Sequence, residues 1–187
     1  MKIKIDQRVL TDILPDISAQ NKGATAGRIS AAFNLGTSVA PLTVSKDGAG
    51  GTTPVTDLIV DMGTVLDESN CPESGRFLVI PARMAGLIKK SELKDASLAG
   101  DSQSIMRNGR LGMIDRFTVY VSHNLNVSSG KFSIIAGTKM GLTFASQMTE
   151  METIRSESTF GDIIRGLQVY GYKVVKPEAL STAVVQF

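Results

Sequence analysis

Chemistry in this chain would have to start from very few side chains. It has one histidine, His123, in the stretch VSHNLN, and one cysteine, Cys71, directly before Pro72. For His123 to act as a general base, a nucleophile or an acid must fold beside it, and the sequence singles out no candidate. It is read as an exposed or hydrogen-bonding loop residue. A nucleophilic Cys71 would need a lowered pKa, for which a turn position ahead of a proline offers no cause. With so few nitrogen and sulfur ligands, a metal site would have to be all carboxylate. The carboxylates with suggestive spacing are Asp57 and Asp61, Asp67 and Glu68, and Glu150 with Glu152. Asp57 and Asp61 stand four apart on the helix face opposite its apolar stripe, where solvated charges belong. Glu150 and Glu152 share one face of a strand. They could act as an acid pair or hold a cation. The preferred reading is that Arg155 and neighbouring strands neutralise them. A small carboxylate-dependent hydrolase using Glu150, Glu152 and His123 is the rival from a different functional class, and it requires a deep pocket gathering all three.

The glycine-rich stretches do not form phosphate cradles. Gly48-Ala49-Gly50-Gly51-Thr52-Thr53 has the first half of a dinucleotide fingerprint, lacks its last glycine and follows no clear strand. A phosphate loop ending at Gly130-Lys131 would need glycine where Leu125 stands and serine or threonine where Phe132 stands. Lys89, Lys90 and Lys94 gather at one helix end, where they complement the dipole. No cofactor and no metal is expected. The balance of 20 basic against 18 acidic residues, a net charge of +2, gives no argument for a nucleic acid or an anionic membrane as partner. No apolar run approaches the ~18 residues of a membrane span, and a single cysteine excludes an intrachain disulfide.

The elements that would position these residues can be read along the chain. Ile5, Val9, Leu10, Ile13 and Leu14 are spaced as the back of an amphipathic helix stopped by Pro15. No capping residue precedes that pattern, which suggests a helix beginning further upstream, with Met1–Lys4 as added residues. Residues 16–54 are rich in small residues and poor in periodicity. They read as loop with a short extended piece at Leu42–Val44, a length that often marks an interaction arm or a functional loop. Thr53 or Thr56 should cap a helix carrying Val55, Leu58, Ile59, Met62, Val65 and Leu66 and ending by Asn70, with Pro54 in its first turn. A strand Arg76–Ile80 stops at Pro81, which opens a second helix to about Lys90. Asn108-Gly109 signals a tight turn. Phe117–Val121 and Phe132–Ala136 are strands, Thr138 to about Gln147 has helical character, and Glu150–Glu157 is an exposed ribbon strand before a polar turn, RSESTFGD. Ile163–Val175, interrupted by Gly166 and Gly171, and Thr182–Phe187 close the chain. Strands and helices mix without βαβ alternation, so the fold class is α+β.

Three runs carry a family resemblance: LDESNCPESGRFLVIP (Leu66–Pro81), NGRLGMIDRFTVYVSHNL (Asn108–Leu125) and FGDIIRGLQVYGYKVVKPEAL (Phe160–Leu180). In this order they resemble the major capsid proteins of tailed bacteriophages, of the HK97-like fold. Arg116 departs from the pattern, standing where the family often has glycine. The resemblance implies a shell protein rather than an enzyme, built from an A domain at residues 55–146 and part of a P domain at 147–187. Residues 1–54 would be the end of a spine helix and a connecting segment on the mobile surface, with the N-arm, the E-loop and most of the spine helix missing. It implies pentamers and hexamers of copies of the chain closing into an icosahedral head around DNA held without sequence specificity. A scaffolding protein is a further implied partner and a membrane is not. The location would be the virion, after synthesis in the bacterial host cytoplasm. This stretch alone would be monomeric or weakly associated. An encapsulin-like compartment shell is the rival within the same fold. By family position the subunit-contact candidates are Glu150, Glu152, Arg155, Arg165, Tyr170 and Tyr172. The two tyrosines share one face and suit either a subunit contact or packing within their own lobe.

Overall fold

The protein was analysed as a computed structural model that describes residues 2–91, 112–155 and 160–187. Helix α1 (Lys2–Asp12) buries Ile5 and Val9, with Ile13 just beyond its end, a four-residue spacing that keeps all three on one side. It already includes Lys2–Lys4, which the sequence pattern left outside the helix. Strands β1 (Leu42–Ser45) and β2 (Thr53–Pro54) lead into α2 (Val55–Glu68), followed by β3 (Arg76–Ile80) and α3 (Ala82–Lys90). Then come β4 (Met113–Ile114), β5 (Phe117–Val121), β6 (Val127–Ser128), β7 (Lys131–Thr138), β8 (Leu142–Arg155), β9 (Asp162–Val174) and β10 (Leu180–Gln186). The turn expected at Asn108-Gly109, Lys94, and residues 156–159 of the expected polar turn lie outside the described residues.

Two sheets result. The large one has the order β2-β1-β10-β7-β3-β5-β4, with β6 paired to the start of β7. It is mixed: β1 with β10 and β3 with β5 run parallel, while β7 lies antiparallel between β10 and β3. Its middle is covered on both faces. Ile134 and Ala136 of β7 join Leu58, Ile59, Met62 and Met84 in one core, whereas Ile135 turns to a second core with Ile5, Val9, Ile13, Ile17, Val174 and Leu180. The second sheet is the antiparallel ribbon β8–β9, whose base packs on α1.

Several expectations change against this architecture. Thr138–Gln147 is no helix: β7 ends at Thr138 and β8 begins at Leu142. Leu142 and Phe144 face Val174 and Tyr172 across the ribbon, a two-residue period that a ten-residue window hides. Gly141 fits because a Cβ there would come within 2.6 Å of the Leu180 side chain. Helix α2 has Pro54 as its N-cap with no side-chain cap, and Pro81 takes the same position ahead of α3. Neither Thr53 nor Thr56 caps; the Thr56 hydroxyl donates to Asp57 at 3.3 Å instead. The glycines of β9 do not interrupt it, since the strand runs unbroken from Asp162 to Val174. The irregularity lies in the opposite strand, as a register shift between Met148 and Glu150.

Residues 16–54 are the largest revision. The segment is loop-rich, and Leu42–Val44 is indeed extended, but it is no surface arm. Asn21, Ala26 and Leu35 are each 0% exposed. The Asn21 side-chain amide donates to the carbonyls of Glu178 (2.7 Å) and Leu180 (2.9 Å), and its Oδ1 accepts from the Ser69 hydroxyl (2.9 Å). The segment therefore forms part of the core boundary, with polar side chains taking the place of secondary-structure hydrogen bonds.

Candidate assembly surface

The ribbon is the feature with most to offer a partner. Its two strands of 14 and 13 residues form a sheet of their own, and among the described residues each leaves one edge unpaired. One face begins with Leu142, Phe144, Tyr170 and Tyr172. There the Phe144 and Tyr170 rings stack at 6.3 Å, as do Tyr170 and Tyr172, and both tyrosines pack partly against the second core. The Tyr172 hydroxyl donates to Asp12 of α1, which raises the phenol above its ordinary pKa because the hydrogen bond favours the protonated form. Further out the same face is bare: Met148, Met151 and Ile164 are 61%, 70% and 71% exposed. On the opposite face Arg165 donates through Nε and Nη2 to Glu152 Oε2 at 2.9 and 2.7 Å, directly across the strands. Glu150 lies opposite Leu167 on this face, whereas Arg155, opposite Asp162, belongs to the face of Met151 and Ile164. Thus Arg165, rather than Arg155, neutralises Glu152.

A second polar constellation holds the interior. Arg76, fully buried at the start of β3, donates to the carbonyls of Pro72 (2.9 Å), Cys71 (2.8 Å) and Gly63 (3.3 Å) and to Asp67 Oδ1 (2.6 Å). Asp67 Oδ2 accepts from Arg116 at 2.9 Å, and Arg116 also meets Glu73 at 3.2 Å. Arg116 and Asp115 form the two-residue loop between β4 and β5, with φ of 65° and 44°. Positive φ at both central positions is what a tight hairpin loop demands, which explains why glycine suits position 116. Arginine accepts the backbone strain there and gains ion pairs with Asp67 and Glu73, besides a longer one with the neighbouring Asp115.

Burial alone would raise the Asp67 carboxyl, but hydrogen bonds and charge from Arg76 and Arg116 outweigh it and hold the pKa below the ordinary value. A carboxylate depressed in the folded state stabilises the fold above its unfolded pKa of about 3.9 and loses that contribution as pH falls through the folded value. The chain should therefore lose stability on acidification below about pH 4, and Asp67→Asn should flatten that limb while lowering stability at neutral pH. Urea midpoints measured from pH 2 to pH 7 would show it; parallel curves for the two proteins would refute the assignment.

The residues singled out for chemistry are not brought together. His123 is exposed in the loop after β5, whereas Glu150 and Glu152 lie on the ribbon beside a cleft of about 280 Å³ completed by Arg165, Gly166 and Leu167. Cys71 is buried; desolvation pushes its thiol up, and Sγ donates to the Glu178 carbonyl at 3.3 Å. Asp61 is half-buried, and desolvation with the nearby Asp57 charge raises its carboxyl. Among the described residues no group of three or more His, Cys, Asp or Glu could hold a metal ion, and no helix is long and apolar enough to cross a membrane.

Comparison with known proteins then decides the family. The profile of the phage capsid protein family matches residues 1–183, nearly the whole chain. The chain belongs to the phage capsid protein family. Capsid chains are structural components of the virion, not enzymes. A solved structure from Mycobacterium phage Che8 is similar at 29% identity and TM-score 0.61, over 77% of this capsid chain and 53% of that one. The capsid of cyanophage P-SCSP1u matches at 14% identity and TM-score 0.61, over 98% of this chain and 62% of the other. A virus-like particle from Pyrococcus furiosus shares the fold at 14% identity and TM-score 0.51, over 97% and 61%. The capsid chain thus spans between half and two thirds of these structures. A comparison with curated protein sequences gives no match. The α+β architecture is consistent with part of an HK97-like fold.

Proposed function

We propose that the chain is part of a major capsid protein whose copies assemble as pentamers and hexamers into an icosahedral phage head enclosing DNA. The observation that carries this reading is the family match over residues 1–183. The architecture supports it physically. A shell needs many modest, repeated contacts between identical chains, and the ribbon offers open strand edges and exposed apolar side chains on a rigid base. In this proposal residues 55–146 are mainly the A domain and the ribbon, with α1, belongs to the P domain; β10, expected with the P domain at 147–187, and β1 and β2, expected in the connecting segment, instead pair in the large sheet with the A-domain strands. The sequence boundary at residues 146/147 falls inside β8. The bare outer face of the ribbon would be covered by further chain of the kind the longer relatives carry, α1 being the end of the spine helix, and by neighbouring copies. Glu150, Glu152, Arg155 and Arg165 on the ribbon, with the exposed flanks of Tyr170 and Tyr172, are the proposed contact residues. DNA would be enclosed without sequence-specific contacts, a scaffolding protein would assist closure, and synthesis would take place in the bacterial host cytoplasm.

Negative-stain microscopy tests this. The product of the natural reading frame, including any upstream codons, is compared with the 187-residue chain. Shells or rings from the first and monomers or weak associations from the second are expected. A closed shell from the 187-residue chain would overturn the expectation that this stretch alone is monomeric or weakly associated. Particles carrying a protein cargo in place of DNA would mark a compartment instead of a phage head.

A further inference from the structure

At the root of the ribbon, α1, β3 and β8 leave an apolar groove of about 290 Å³ lined by Val9, Leu10, Val79, Leu142 and Phe144, with Asp6 and Ser122 as its polar lining. This volume sits at the lower limit for small-molecule pockets and suits one large side chain better than a cofactor. At the far end of the same ribbon, Phe160 is fully exposed. It is a large apolar side chain placed where a protein has no intramolecular reason to keep one.

The two features cannot meet within one chain. From Phe144 to Arg155 the ribbon runs eleven residues, which at ~3.3 Å per residue separates groove and far end by about 36 Å. Because β8 and β9 stay paired along this length, the ribbon does not fold back on itself. The groove of one copy is open only to the Phe160 of another. Charge agrees with this pairing: Asp6 is the ionisable group of the groove, and Arg155, exposed at the ribbon's far end, supplies the opposite sign.

We propose that Phe160 of one copy seats in the groove between α1 and the ribbon base of the next, with Arg155 facing Asp6. The inference rests on the capsid reading and deepens it by naming a contact within the assembly. The contact is heterologous: knob and hole are different surfaces, so successive copies continue head to tail and close only if their rotation closes. A single aromatic anchor with one rim charge pair makes each contact weak, in keeping with weak association of the isolated chain.

Two measurements test it. In sedimentation equilibrium the 187-residue chain should self-associate weakly, and Phe160→Ala or Asp6→Lys should each weaken this about ten-fold. Both positions are at the surface, so the variants should fold. For the contact itself, Phe160→Cys and Ser122→Cys are combined in one chain and oxidised. A disulfide between copies is expected, absent from each single variant and from a control that pairs Phe160→Cys with Val39→Cys, a position 89% exposed elsewhere on the surface. Equal cross-linking in the control, or self-association indifferent to Phe160→Ala, would overturn the proposal. The same cysteine pair in the longer shell-forming product separates the two readings. Shells without the 122–160 disulfide would sink this contact and leave the capsid reading standing. The disulfide forming where no shell does would retain the contact and count against the capsid.

Discussion

Arg76→Met should destabilise the chain by about 3–5 kcal/mol, the range seen when one partner of a buried ion pair is removed. The whole stability of a domain is about 5–15 kcal/mol, so this one change would remove about a fifth of it or more. The reason lies in what the guanidinium satisfies. Its side chain is completely shielded from solvent and donates four hydrogen bonds, to the carbonyls of Gly63, Cys71 and Pro72 and to Asp67. Methionine fills much of the same volume with no donor, so the buried carbonyls lose their partners at about 1–3 kcal/mol each, not additively. Asp67 keeps Arg116, which is itself 38% exposed, so the orphaned charge is partly relieved and the estimate stays within the usual range. Arg76→Lys should recover only part of the loss, because a single ammonium cannot reproduce a planar fork that reaches acceptors on α2 and on the turn that follows it together. Urea midpoints at neutral pH with an unchanged m-value would establish the cost as one of stability. A midpoint for Arg76→Met within about 1 kcal/mol of the parent chain would refute this account.

Where the chain's own chemistry is local, the sequence was a good guide. β3 and α3 run over Arg76–Ile80 and Ala82–Lys90, the ranges expected, because Pro81 ends one and starts the other and no distant contact is needed to place it. The apolar positions of α2 are buried as its spacing requires. Legibility fails where tertiary contact decides. Thr138–Gln147 carries residues acceptable to either helix or strand, and packing of Leu142 on the second core together with the close approach of Gly141 to Leu180 selects the strand. Arg116 gives no turn signal in sequence, since its positive φ is sustained by Asp67 and Glu73, one of them 49 residues away. The candidate contact residues fare unevenly in the same terms. The alternation of residues 150–157 is enough to place Glu150 and Glu152 on one face, but the cation that pairs with Glu152 is Arg165, across a register set by the bulge at Met148/Glu150. A single-strand pattern cannot contain that information.

Asn21 is the sharpest case of a residue hidden from sequence reasoning, and it yields the second large effect. It sits in a stretch of small polar residues that looks like open loop, yet it is 0% exposed and ties three distant parts of the chain together. Its amide bonds Glu178 and Leu180 at the entry to β10, its Oδ1 holds Ser69 after α2, and its backbone carbonyl accepts from Ser181 at 3.0 Å. Asn21→Ala removes three of these four bonds, taking the amide partner from the Leu180 carbonyl and the Ser69 hydroxyl and leaving the Glu178 carbonyl with the Cys71 thiol, for an expected loss of about 3 kcal/mol. The loss should appear together with faster proteolysis between residues 22 and 40, which Asn21 anchors. Asn21→Asp makes a sharper test. It removes both donors and places a carboxylate where no water reaches, so burial should push its folded pKa above the unfolded value. A carboxyl raised on folding stabilises the fold only in its protonated form, so this variant should gain stability as pH falls from 7 toward about 4. Asp67 contributes the opposite slope at lower pH, so the stability of Asn21→Asp should pass through a maximum on the acid side of neutrality that is more pronounced than in the parent chain, where the half-buried Asp61 is raised in the same sense. If Asn21→Asp follows the parent curve at every pH, the side chain is not held as described, and the segment before β1 would be resting on the core through its apolar contacts alone.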